Sequence, residues 1–132
     1  MGKGSEVDGG LGKSGLTPAL RCQIDRAPGG SGFHWRLSTL NGRVVAVSAE
    51  SYPDHDGCRA AFDEVCRLAA ELADTIQHTH DGAGWTWHAR TSDGRRVARS
   101  ARAYERHATC QSAAARFRLL LAGHVAAGQR TG

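Results

Sequence analysis

Lysine is nearly absent from this 132-residue chain, occurring only at positions 3 and 13, so its positive charge is carried almost wholly by arginine. An Arg and Ala bias of this kind has a compositional as well as a functional reading. Long apolar runs are missing too. None approaches the ~20 residues that a helix needs to cross a bilayer, and no apolar segment of signal-peptide type opens the sequence, so a cytoplasmic location is expected. Cysteine is present at 22, 58, 66 and 110, but no C-x-x-C pair occurs, and disulfides are rare in cytosolic chains. Cys58 and Cys110 fall on apolar helix faces, where a buried thiol packs well, and buried structural thiols are the expectation.

Catalytic signatures are also lacking. The sequence contains no G-x-S-x-G, no H-E-x-x-H and no dinucleotide fingerprint. Gly12-Lys13-Ser14 looks like the end of a phosphate-binding loop, yet Val7 stands where that loop needs glycine and no apolar strand precedes it. His78-x-His80 would place two imidazoles on one strand face, but two His without a third ligand make a poor zinc site. Asp74 and Asp81 flank the pair with no stated aim. Surface histidines on an edge strand are the plainer reading, and neither metal, cofactor nor catalytic residue is expected.

What the sequence does have is a repeat. Displaced by 52 positions, Trp35 falls on Trp87, Thr39 on Thr91, Gly42-Arg43 on Gly94-Arg95 and Val45-Ala46 on Val97-Ala98. Ser48-Ala49 meets Ser100-Ala101, and Tyr52, His55, Cys58, Ala61 and Leu68 meet Tyr104, His107, Cys110, Ala113 and Leu120. Matches spread over Trp, turn Gly, Tyr and Cys are not explained by shared composition, and a repeat fixes the architecture before any single residue does. Each copy alone, of roughly 50 residues, is marginal as an independent core, so two copies sharing one core is the economical arrangement. Residues 1–18, without periodicity, read as a flexible tail; 19–127 as the tandem domain, divided into 19–73 and 74–127; and 128–132 as a C-terminal tail.

Each copy reads as three strands and a helix. Leu20 to Arg26 and Thr75 to His80 are the first strands. Phe33 to Leu40 alternates apolar and polar side chains, as a half-buried strand does, and Asn41-Gly42 then leads into Arg43 to Glu50. Asp93-Gly94 plays the same part between Trp85–Ser92 and Arg95–Arg102. Such dipeptides signal a tight hairpin in which both turn residues accept positive φ. A two-residue turn pairs Leu37 with Ala46 and Trp35 with Ser48, placing the Trp rings on a core face. The opposite face then carries His34, Arg36, Ser38, Val45 and Val47 in the first copy, and Thr86, His88, Arg90, Val97 and Arg99 in the second.

Apolar residues from Cys58 to Leu72, and from Cys110 to Leu121, recur at helical steps, with Asp54 placed to cap the first helix. His55 and His107 at the helix starts read as structural, hydrogen-bonding the loop that enters each helix. The expected result is an α+β fold. Two three-strand-plus-helix repeats form one antiparallel sheet with both helices on one face and an approximate internal two-fold.

Phe33-His34-Trp35-Arg36-Leu37, Asn41-Gly42-Arg43, Ala46-Val47-Ser48-Ala49-Glu50 and Tyr52, with Trp85-Thr86-Trp87-His88, Asp93-Gly94-Arg95 and Ala98-Arg99-Ser100 in the second copy, resemble the YegP-like family of bacterial tandem-repeat proteins. The resemblance spans nearly everything after residue 18. It implies three strands and a helix per repeat, two repeats completing one sheet, and single-repeat relatives that pair as dimers, and hence a monomer here. The family brings no assigned activity and no catalytic residue. The second copy departs from the pattern, with Arg102 in place of Glu50 and Ala114 in place of Phe62.

Charge separates the copies. Residues 33–66 hold three Arg against five acidic residues, net −2, whereas 85–118 hold eight Arg against two, net +6. Such polarity within a small domain points to a partner, and arginine suits phosphate best. The plainer reading is that Arg merely solubilises the surface. Candidate anion-binding residues are Arg36, Arg90 and Arg99, joined by His88, an unperturbed imidazole titrating near ~6.5. The Trp rings lie on the core face, so a stacking platform for bases is missing. The first expectation is therefore a non-enzymatic structural or protein-interaction module. The second is weak, sequence-nonspecific nucleic-acid or anion binding through the basic copy.

Overall fold

The computed structural model describes residues 20–131; the expected N-terminal tail lies outside them. Six strands and two helices follow in order: β1 (Leu20–Arg26), β2 (Phe33–Thr39), β3 (Val44–Ser48), α1 (His55–Arg67), β4 (Ala73–His78), β5 (Trp85–Arg90), β6 (Arg96–Arg99) and α2 (His107–Thr131). The strands form one open antiparallel sheet in the order β1-β2-β3-β6-β5-β4. Two three-stranded meanders therefore meet at β3 and β6, where Val47 pairs with Arg99 and Ser48 with Ala98.

The hairpins differ from the expected two-residue turns. Thr39 N–H donates to Arg43 O and Gly42 N–H to Thr39 O, both at 2.9 Å, so Leu40, Asn41 and Gly42 form a three-residue loop. Only Gly42 takes positive φ, at 90°. Asn41 instead uses its side chain, accepting from Thr39 Oγ1 and from Arg43 N–H at 3.4 Å. Asp93 does the same in the Thr91–Arg95 loop, with Gly94 at φ 87°.

A three-residue loop shifts the strand register by one, which would turn the core face outward. A β-bulge corrects it, since the pairing slips between Leu37 and Ser38 and again between Ala89 and Arg90. Leu37 thus still meets Ala46, and Trp35 N–H still reaches Ser48 Oγ at 3.2 Å. The extra residues are Val45 and Val97, which the simple alternation assigned to the outer face. Val97 is buried, and Val45 packs against the core; a bulge re-aims side chains in this way.

Both helices cover the Trp face. Asp54 caps α1, Oδ1 accepting from Gly57 N–H at 2.6 Å, and the helix brings Cys58, Phe62 and Val65 into the core. It stops at Arg67, and a short 3-10 turn, Ala69–Glu71, carries the apolar stripe on to Leu72. α2 remains helical to Thr131, through the stretch expected as a C-terminal tail. Trp35 packs edge-on against Phe62 and Trp87 stacks on Phe117, each at 5.1 Å between centroids. The aromatic missing at Ala114 is thus supplied one turn later. Val65 and Phe117 are counterparts across the 52-residue offset, as are Phe62 and Ala114, so the bulky residue changes places within the stripe and core volume is kept.

Cys58 and Cys110 are buried as expected, whereas Cys22 and Cys66 are only half-buried; all four are free. Burial pushes the thiols of Cys22 and Cys66 up to about 11, which keeps them protonated and unreactive. His55 and His107 make ring contacts rather than the expected hydrogen bonds, edge-on to Phe33 and Trp85 respectively.

Phe33 and Tyr52 exchange both backbone hydrogen bonds at 2.7 Å, as Trp85 and Tyr104 do at 2.7 and 2.8 Å. Gly32 has φ +94°, and a Cβ there would stand 2.6 Å from Tyr52 O. Gly32→Ala is expected to destabilise the protein by about 2–4 kcal/mol, adding left-handed backbone strain to the loss of the Phe33–Tyr52 backbone bridge. A urea midpoint within error of wild type would count against this account.

Candidate anion-binding face

The sheet face opposite the helices is polar. Because directly paired residues share a face, Gln23, Arg36, Val47, Arg99, His88 and Thr75 form a single row across all six strands, with neighbours ~4.8 Å apart. Arg36, Arg99 and His88 are three of the four residues singled out in the sequence. The fourth, Arg90, lies on the same face two residues beyond His88 and pairs with Arg96.

The structure divides these residues into two groups. Arg36 is held within its own half: its Nη2 donates to Gln23 Oε1 at 3.0 Å and lies 3.4 Å from Asp25 Oδ2. The other group is Arg90, Arg96 and Arg99 around His88. No acidic partner reaches any of these three guanidiniums among the described residues, and Arg99 spends one donor on Ser100 O at 3.3 Å. Burial, followed by the charges of Arg96, Arg90 and Arg99, holds the His88 imidazole below its ordinary range. His88 therefore takes up its proton at lower pH than an unperturbed imidazole does. Its Nδ1 and the Nε of Arg90 are buried without a hydrogen-bond partner.

Arg96 is the member that simple alternation missed. In strict period two it points with Ala98 into the core. The bulge at Val97 rotates it outward, opposite Arg90.

His78 and His80 do not act together. β4 runs from Ala73 to His78, two residues earlier at each end than the expected strand, so His80 lies beyond it. The His78 ring lies 3.6 Å from that of Trp85. Among the described residues no group of three or more His, Cys, Asp or Glu could hold a metal ion. No described helix is long and apolar enough to cross a membrane.

No family model matches the chain, and no curated protein matches it. Solved structures do. The protein of unknown function yegP from E. coli superposes with a TM-score of 0.59 at 12% identity, over 82% of this chain and 90% of that one. A UPF0339 protein from Shewanella oneidensis gives 0.58 at 14% identity, over 80% and 86%. The chain thus has the fold that the sequence resemblance implies, and its structural neighbours carry no assigned activity.

Proposed function

We propose that the protein is a non-enzymatic, cytoplasmic binding module whose bare sheet face receives a partner with an acidic surface. The observation that carries this reading is the cluster of Arg90, Arg96 and Arg99 around His88. Among the described residues it leaves three cations on one face without an ion-pair partner, disfavours the charged form of His88 and buries two unpartnered nitrogens. Isolated groups of this kind disfavour the free state, and an arriving anion relieves them. Arginine presents a planar fork that suits carboxylate as well as phosphate.

A protein partner is favoured over single-stranded nucleic acid, since every Trp lies on the helix face and leaves no aromatic platform for bases. The second reading is a nucleic-acid duplex held through its phosphates, which needs no stacking.

Capture from lysate on the immobilised protein, with and without nuclease, separates the two. Retention that survives nuclease supports a protein partner; retention lost with it supports nucleic acid. In either case Arg90→Glu with Arg99→Glu is expected to abolish retention; Arg99 is exposed and Arg90 half-buried, so circular dichroism of the double variant is checked for retained fold. Binding should weaken with salt and tighten as pH falls toward the His88 titration, because the partner's anions favour the imidazolium. Retention unaffected by the double reversal would overturn the placement on this face.

A further inference from the structure

On the helix side of the sheet, two corners 52 residues apart are built from corresponding parts and completed differently. At one corner Arg95, which follows the second hairpin loop, lies 3.3 Å from the Glu64 carboxylate of α1, with Tyr52 close enough to feel both charges. The corresponding residues at the other corner are Arg43, Arg116 and Tyr104, so a second guanidinium stands where the first corner has its carboxylate. These three line a cavity of about 190 Å³ between β3 and α2.

Neither Arg43 nor Arg116 has an ion-pair partner among the described residues. The first corner is internally neutral, while the second carries two uncompensated positive charges on the wall of a cavity. Its remaining lining is mixed. Thr109 and Ser112 offer hydroxyls, and Val45 and Ala113 form an apolar floor. Val45 is available there only because the bulge turns it toward α2. An adjoining cleft shares Tyr104 and Thr109 and adds Arg102 and Arg106 against the single acid Glu105, so the surroundings are cationic as well.

We propose that this cavity binds a phosphomonoester carried on a small apolar group. Two guanidiniums match a phosphate that bears about −1.5 to −2 charges near neutral pH, and they can grip it bidentately. Hydroxyls supply further donors to its oxygens, and the apolar floor receives the organic group. A monocarboxylate satisfies only half of this charge. The site lies across the sheet from the arginine cluster around His88 and is independent of it.

The test is calorimetric titration of the full chain with phenyl phosphate, inorganic phosphate and benzoate. Saturable one-site binding is expected for phenyl phosphate, with inorganic phosphate weaker for want of the apolar contact and benzoate weaker by about tenfold or more. Arg116→Glu re-creates the internally paired corner and should weaken phenyl phosphate by about tenfold or more. The residue is solvent-exposed, so folding should be kept; Arg43→Gln is a second variant, expected to weaken binding in the same direction. The charge reversals at Arg90 and Arg99 should leave this binding unchanged. Absence of saturable binding to wild type at millimolar ligand overturns the proposal. So does undiminished binding to both cavity variants, or a loss that follows the Arg90 and Arg99 reversals instead.

Discussion

Trp87→Ala is expected to cost the fold about 3–5 kcal/mol, the range for deleting a large buried aromatic. The ring is fully buried and stacked on Phe117, with Ile76 paired directly opposite Trp87 on β4. One contribution acts the other way. Trp87 Nε1–H is buried without a partner, as is that of Trp35, and removing it relieves a penalty of about 1–3 kcal/mol. Trp87→Phe separates the two effects by keeping most of the apolar volume and discarding the N–H, and should cost well under half as much. Because a domain of this size is stable by only about 5–15 kcal/mol and no disulfide supports it, Trp87→Ala should move the urea midpoint severely. A midpoint close to wild type would mean that the ring is not the centre of the core.

The fold was legible because its signals were local and doubled. Alternation around Trp35, the Asn-Gly turn and the three- and four-residue steps of the helix all recur after 52 residues, whereas the Asp54 cap does not, Arg106 standing at its counterpart position. In sequence, Ala114 in place of Phe62 is a departure of the second copy from the pattern. In space Phe117 fills the same layer, because one helical turn returns a side chain to the same face. Bulges were not legible. A two-residue turn and a three-residue turn followed by a bulge give the same register at Trp35 and Leu37, and differ between turn and bulge, at Arg43 to Val45 and at Arg95 to Val97.

That difference decides the sites. The outward aim of Arg90, Arg99 and His88 followed from period two, but the addition of Arg96 to their cluster depends on the bulge. The Arg43–Arg116 cavity depends on which half of the sheet α2 lies against, a long-range fact that periodicity does not carry. One signal was nevertheless present in sequence. Comparing the copies for differences rather than identities puts Arg116 opposite Glu64, a charge reversal at one corner. Gly32 and Gly84 were likewise available as a matched pair, and their meaning appears only where each approaches a Tyr carbonyl, at 2.6 and 2.9 Å from the ideal Cβ position.

Dividing the chain between Leu72 and Ala73 is expected to leave halves that behave differently from the intact protein and from each other. The full chain should sediment as a monomer at micromolar concentration, since each half supplies the β3 or β6 edge that the other needs. Separation exposes that edge, and an unpaired strand edge seeks another strand. At the junction Val47 faces Arg99, its own counterpart 52 residues on. A first half pairing with a second copy of itself in the same register therefore sets Val47 against Val47, a favourable β-branched pair. A second half doing so sets Arg99 against Arg99, with like charges directly opposed. The first half should accordingly dimerise, with unfolding on dilution. The second should stay unfolded or weakly associated, and mixing should restore a one-to-one complex. Sedimentation and circular dichroism of each fragment check this. A first half that is folded and strictly monomeric at micromolar concentration would show that the β3–β6 seam is dispensable. A second half that dimerises as tightly as the first would show that the Val47–Arg99 position does not govern pairing.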